Sequence, residues 1–227
     1  MAEEDEERLA GADADAYDVG RLLALSDGVF AIAMTLLVLD VPIPRLAAPT
    51  DAALLAALQG DLPNLASFAL SFALVAVYWV AHRRLLRGLV RTDTWLVGLN
   101  LAMLLLVCVV PFAAGLLSRY GDLTTAVVAY AANLVLLGLL STALQVQSWR
   151  GRLLADMPGP AARRRATIAA LLRSAVFAAS IPIAFHNPTW GEYTWVILPV
   201  SGPVARRLLA ARSRAPGRRA APGRPGS

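Results

Sequence analysis

The chain has 227 residues, of which 57% are hydrophobic and only 16% are charged, and its mean hydropathy is +0.57. Soluble domains seldom reach this hydropathy, so sustained apolar runs, and not one buried core, must account for it. All 21 basic side chains are arginines, and the net charge is +5. Basic proteins often bind nucleic acid, but most of these arginines flank apolar runs. We therefore predict an all-α, polytopic membrane protein without a nucleic-acid partner.

The first apolar run, residues 21–42, has the length of one membrane-spanning helix of about 20 residues. Ser26, Asp27, Thr35 and Asp40 interrupt it. A helix that only anchored the chain would need none of these residues, and a carboxylate within the membrane is costly. The run is therefore a candidate functional site. Asp40 has two interpretations: it attracts cations to the outer mouth of a pore, or it is an exposed interfacial carboxylate.

At about 100° per residue, one face of this predicted helix carries a line of small, apolar and hydroxyl side chains. The residues on this face are Arg21, Leu25, Gly28, Ile32, Thr35 and Leu39. Such a face suits the lining of a narrow path. It also suits ordinary packing against a neighbouring helix, with the Thr35 hydroxyl bonded to its own helix. The spacing alone leaves both interpretations open.

The segment R-x-x-x-L-S-D-G, which begins at Arg21, resembles the R-x-x-x-F-S-D signature of the lysosomal and prokaryotic potassium channels called the transmembrane protein 175 family. Leu25 stands where that family has Phe. The segments Y-W-V-A-H, which ends at His82, and L-N-L, around Asn100, also resemble family patterns. The resemblance is good in the first half of the chain and rests mainly on hydropathy in the second. It implies a potassium-selective channel with six spanning helices per subunit, assembled as a homotetramer.

The resemblance also implies roles for single residues of the first helix. Ile32 aligns with the apolar constriction of the family, and Leu36 and Leu39 align with further lining positions. Thr35 aligns with the threonine linked to ion selectivity. Potassium ions passing through the pore are then the only metal expected, and no cofactor is expected.

The remaining matched residues are implied to support the structure. They are Arg21, Ser26, Asp27, His82 and Asn100. A carboxylate must be satisfied at low dielectric, so we expect Asp27 to accept a hydrogen bond from His82 or Asn100, or to pair with Arg21.

Five further apolar runs predict the other spanning helices, at residues 62–80, 95–117, 123–144, 166–185 and 193–209. Residues 51–59 predict a short amphipathic helix. Residues 1–20 form an acidic lead that we expect to be disordered at first and helical near Arg21. The predicted domains are this cytoplasmic lead, a channel domain at residues 21–209 and a cytoplasmic tail rich in Arg, Pro and Gly at residues 210–227.

Arginine-rich and arginine-poor connections alternate along the chain. The segments after the second, fourth and sixth runs are rich in Arg, and the others are poor. The positive-inside rule then predicts six spans with both termini in the cytoplasm. The expected location is the cell membrane, with lipids and further copies of the chain as partners.

Other classes of function are less well supported by the sequence. The two histidines fall on opposite sides of the predicted membrane, no Gly-rich phosphate loop is present, and the single cysteine, Cys108, excludes a cysteine metal site. We therefore expect no enzyme, and we expect Cys108 to be a small buried hydrophobe. A secondary transporter is the main alternative, since prolines interrupt the last two runs, although the chain has no second S-D-G. A non-conducting scaffold would need only the packing motifs.

Overall fold

The computed structural model describes residues 2–196, and these residues form seven α-helices joined by short connections. The helices are α1 (Ala2–Leu36, continued by a 3-10 turn at Leu37–Asp40), α2 (Asp51–Gly60), α3 (Leu62–Arg87), α4 (Thr94–Tyr120), α5 (Thr124–Arg150), α6 (Pro160–His186) and α7 (Pro188–Tyr193). A second 3-10 turn, Thr194–Val196, follows α7.

Five of these segments are long and apolar enough to cross a membrane. They are Ala14–Asp40, Leu62–Arg87, Thr94–Tyr120, Thr124–Arg150 and Pro160–His186. The first five predicted spans and the short helix α2 are therefore confirmed as helices. The predicted sixth span, residues 193–209, lies almost entirely outside the described residues, and the tail at residues 210–227 lies wholly outside them.

The acidic lead is the main correction to the predicted secondary structure. We expected disorder at first and helix only near Arg21, but α1 begins at Ala2 and runs without a break into the first span. Alanine, glutamate and arginine favour helix, and extending an existing helix avoids the cost of nucleation. Acidic side chains near the amino end also interact favourably with the helix dipole.

Helix α1 packs on α3 and α4 through one face, and α5 packs on both α4 and α6. Residues at helical spacing form the buried face of α1: Leu22, Ser26, Phe30, Ala33 and Leu37. Burial of such a stripe supplies the tertiary contacts that hold a helix in place. Pro111 and Pro182 lie inside α4 and α6, and both helices continue past them.

Two of the Arg-rich connections lie within the described chain, one after α3 and one after α5. Both lie at the same end of the bundle. The backbone N–H of Val90 donates to Leu153 at 2.8 Å, and that of Ala155 donates to Gly88 at 3.0 Å. The side chain of Arg91 also donates to the carbonyl of Gly151 at 3.1 Å. We call this the Arg-rich end. The 3-10 turn after α1 and the turn between α4 and α5 lie at the opposite end.

A close contact among α3, α5 and α6 depends on Gly138. A Cβ at this position would overlap the Ser174 hydroxyl on α6 and would lie 3.1 Å from the Tyr78 hydroxyl on α3. Tyr78 in turn donates a hydrogen bond to the carbonyl of Leu134 on α5 at 3.1 Å. A side chain at position 138 would therefore push two hydroxyl groups out of place.

We expect Gly138→Val to lower the free energy of unfolding by about 1–3 kcal/mol, because the added atoms overfill the contact. Thermal unfolding of the purified protein in detergent, followed by tryptophan fluorescence, measures the change. Gly98→Val is the matched control, since a Cβ at Gly98 meets nothing within 4 Å. Equal melting temperatures for the two variants would contradict the prediction.

Candidate functional site

Helix α1 has an exposed face opposite its buried face. Ile32 is 61% exposed, Leu36 42% and Leu39 74%, and Thr35 and Gly28 are also exposed. No other described element of the subunit covers these side chains. The structure therefore keeps the predicted pore residues together on one side of α1, outside the packed core.

The Thr35 hydroxyl donates a hydrogen bond to the carbonyl of Ile32 at 2.8 Å. This local bond uses the hydroxyl proton within the helix. The lone pairs of Oγ1 remain available on an exposed position. Thr35 is therefore an outward-facing oxygen acceptor, which is the type of group that a cation binds.

Ser26 fastens the buried face of α1 to α4. Its hydroxyl donates to the carbonyl of Leu22 at 2.8 Å and accepts from the Asn100 amide at 3.2 Å. Both Ser26 and Asn100 are almost completely buried. A buried amide inside a membrane bundle needs such a partner, since no water is available there. The pair fixes the rotation of α1 against α4.

Asp27 fastens α1 to α3 through partners that the sequence did not predict. Its Oδ1 accepts a hydrogen bond from Nε1 of Trp79 at 2.7 Å, and its Oδ2 lies 3.9 Å from Nε of Arg83. The Arg83 guanidinium lies 5.1 Å from the centre of the Trp79 ring. The expected partners of Asp27, which were His82, Asn100 and Arg21, were therefore wrong.

The other signature residues take different positions. The Arg21 guanidinium lies over the ring of Tyr17 at 5.7 Å, one turn back along α1. His82 is buried against Phe30, with ring centres 5.5 Å apart. Neither ring nitrogen of His82 has a hydrogen-bond partner in the part of the chain that the structure describes. Asn100 and Asp27 both lie near the His82 ring.

The structure also shows where Asp40 and Cys108 lie. The carboxylate of Asp40 packs against Gly115 on α4, so it does not join the exposed face of α1. Cys108 is exposed on α4 and not buried as expected. Trp79 is the important residue that the sequence reasoning missed. Its position three residues before His82, in the segment Y-W-V-A-H that resembles the family, could have marked it as a partner for a carboxylate.

The fold and the site define a class of protein: a helical membrane protein whose first span is fixed on one face by buried polar contacts and left uncovered on the other. Residues 21–111 match the family model described as endosomal/lysosomal potassium channel TMEM175. The chain is 40% identical to a potassium channel of Streptomyces collinus over 101 residues, which are 44% of this chain and 48% of that protein. The chain thus spans about half the length of that relative.

Two other proteins extend the comparison. The endosomal/lysosomal proton channel TMEM175 of Danio rerio is 30% identical over 121 residues, which are 53% of this chain and 23% of that protein. A crystal structure of a lysosomal potassium-selective channel TMEM175 homologue from Chamaesiphon minutus matches with a TM-score of 0.70 and 27% identity, over 88% of this chain and 100% of that one. Residues 21–111 therefore resemble the TMEM175 family in sequence, which confirms the resemblance recognised from the sequence motifs.

Trp79→Phe removes the hydrogen bond to Asp27 but keeps an aromatic ring beside Arg83. A hydrogen bond to a charged group contributes about 1.5–3 kcal/mol. Because roughly a third of each of the Asp27 and Arg83 side chains is exposed, we expect a loss near the lower end, about 1–2 kcal/mol. Thermal unfolding in detergent provides the measurement, with Trp95→Phe as control because Trp95 is 77% exposed.

A double-mutant cycle with Asp27→Ala, which removes the acceptor, shows whether the loss comes from this contact. The two changes should be clearly non-additive, with a coupling energy above about 0.5 kcal/mol. Additive effects would mean that Trp79 stabilises the fold by packing alone.

Proposed function

We propose that this protein is a potassium channel whose pore is lined by α1 from each of four identical subunits. The observation that supports this proposal is the exposed face of α1, where Ile32, Thr35, Leu36 and Leu39 lie uncovered while the opposite face is buried. A single helix cannot enclose a path for ions, but several copies arranged around an axis can. The related protein of Streptomyces collinus is named a potassium channel.

The composition of the exposed face of α1 favours a position at the central axis of an oligomer over contact with lipid. Gly28 and Thr35 are small or polar, and Arg21 lies on the same face nearer the Arg-rich end. A lipid-facing surface in the hydrocarbon region is usually large and apolar, and small residues allow helices to approach closely. The contacts of Ser26 and Asp27 hold α1 in the rotation that keeps this face outside the subunit core.

Ile32 and Thr35 would then form two neighbouring rings in the pore. The Ile32 ring is an apolar constriction, which blocks ions by dewetting when it is narrow, and Leu36 and Leu39 extend the apolar lining. The Thr35 ring presents hydroxyl oxygens whose protons are held by the Ile32 carbonyls. These oxygens replace part of the hydration shell of a potassium ion. The chain contains no T-V-G-Y-G filter, so side chains would provide the selectivity.

The topology that we propose has six spans, with residues 193–209 as the sixth, in the cell membrane. The shared position of the two Arg-rich connections supports a cytoplasmic Arg-rich end. Residues 1–20 and 210–227 would then be the cytoplasmic lead and tail, on either side of a channel domain at residues 21–209. The native mass of the assembly should be about four times the 24.1 kDa of the chain.

The central test is potassium flux into liposomes that contain the purified protein, with sodium and proton flux measured in the same preparation. Proton flux belongs in the test because the Danio rerio relative is named a proton channel. Potassium flux at channel rates and above sodium flux is expected. Slow, saturable flux would indicate a transporter, and no flux would indicate a scaffold.

Substitutions in the two proposed rings test the pore residues directly. Ile32→Asn should increase the open conductance, because a polar side chain removes the dewetting barrier. Thr35→Ala should lower the potassium-to-sodium permeability ratio by about fivefold, which corresponds to roughly 1 kcal/mol. Planar-bilayer currents measure both effects. Ile32→Val and Thr35→Ser are the controls, since they keep an apolar side chain and a hydroxyl, and unchanged currents in Ile32→Asn and Thr35→Ala would count against the proposal.

Asp27 has a structural role in this proposal, because its carboxylate accepts a hydrogen bond from Trp79 and lies beside Arg83, both on α3. Asp27→Ala should lower the yield of folded oligomer several-fold while the surviving channels keep their selectivity. Size-exclusion chromatography and bilayer recordings separate the two effects. Normal assembly with altered selectivity would instead place Asp27 in the ion path.

A further inference from the structure

The carboxylate of Asp40 lies in an unusual environment at the end of α1. Gly115 on α4 leaves room for it, since a Cβ there would lie 2.6 Å from Oδ1 and 3.1 Å from Oδ2. Among residues 2–196, no hydrogen bond or ion pair engages this carboxylate. Only the backbone carbonyl of Asp40 accepts, from the Ser118 hydroxyl at 3.4 Å. Burying part of a carboxylate without a donor costs free energy, and a bound donor or cation beside it would offset that cost.

A cavity of about 20 Å³ lies next to this carboxylate. It has room for about one water-sized occupant. Polar groups from three elements line it, and these belong to Asp40, Asn64, Ser67, Ser71 and Ser118. The Asn64 amide nitrogen donates to Asp61 at 3.4 Å, and the Ser71 oxygen accepts from Tyr130 at 3.0 Å. The Asn64 amide oxygen and the hydroxyl oxygens therefore join the carboxylate as acceptors for an occupant.

The cavity borders a larger cleft on the surface of the subunit. A cleft of about 690 Å³ shares four lining residues with it: Asn64, Ser67, Leu117 and Ser118. The charged groups of the cleft are Arg119 and Asp122, and their charges offset each other. An ion could thus reach Asp40 from the side of the subunit, away from the exposed face of α1.

We propose that this cavity binds one dehydrated monovalent cation, Na⁺ or K⁺, outside the conduction path. A single carboxylate with neutral oxygens balances one positive charge. A divalent ion would keep one positive charge uncompensated beside this single carboxylate, and Mg²⁺ also gives up its waters reluctantly. The bound ion joins the end of α1 to α3 and α4. This site does not depend on conduction, so its test is separate from that of the channel.

Thermal unfolding of the full-length protein in detergent tests the site, in NaCl, KCl or N-methyl-D-glucamine chloride at equal ionic strength. The melting temperature should rise saturably with Na⁺ or K⁺ but not with the large organic cation, because an ion that binds only the folded state stabilises it. Asp40→Asn should raise the half-saturating concentration at least tenfold. Asp51→Asn, at an exposed carboxylate on α2, should leave it unchanged.

A second variant keeps the charge but disturbs the geometry. Gly115→Ala places a methyl group against the Asp40 carboxylate and should also weaken the response to Na⁺ and K⁺, which keeps the test valid if Asp40→Asn does not fold. Thr35→Ala should retain the response. A wild-type melting temperature that does not depend on the cation, a response to Mg²⁺ alone, a response lost in Thr35→Ala, or one intact in Asp40→Asn or Gly115→Ala would each overturn the proposal.

Discussion

The position of α1 depends on two polar side chains that need hydrogen-bond partners within the protein, because the interior of a membrane bundle offers no water. Helix α1 carries two such groups in succession, Ser26 and Asp27, and they point to different neighbours: Asn100 on α4 and Trp79 on α3. Two contacts in different directions set both the position and the rotation of the helix. Once they are made, Phe30 and Leu37 must face the core, and Ile32 and Thr35 must face away from it. The adjacent polar pair thus determines which face of α1 stays uncovered.

Several features of this arrangement could be predicted from the sequence. Long apolar runs predicted five helices that the structure contains, because chain length and hydropathy largely determine a membrane span. The period of 3.6 residues placed Ile32 and Thr35 on one face. The resemblance to the TMEM175 family was recognised from Arg21, Ser26 and Asp27 and is confirmed by the match over residues 21–111. The alternation of arginine-rich connections agrees with the hydrogen bonds that join two of them at one end.

Other features could not be predicted, since they depend on distances between helices. The sequence cannot tell which of several nearby donors reaches a carboxylate, and Asp27 binds Trp79 although His82 is also close to it. Asp40 turns towards α4 because Gly115 leaves space there, and a single sequence does not reveal that these two residues meet. The helical lead was missed for a different reason. Its acidic composition indicated disorder, but its alanines and its continuity with a stable helix favour helix instead.

The uninterrupted course of α1 has a mechanical consequence. Tyr17 precedes Thr35 by 18 residues, which is about five full turns of an α-helix, so the two side chains share nearly the same azimuth. Because α1 has no break between them, a twist of the helix about its long axis turns both through the same angle. The movement of the Tyr17 phenol, which lies outside the most apolar part of the helix, therefore reports the rotation of the Thr35 hydroxyl about the helix axis.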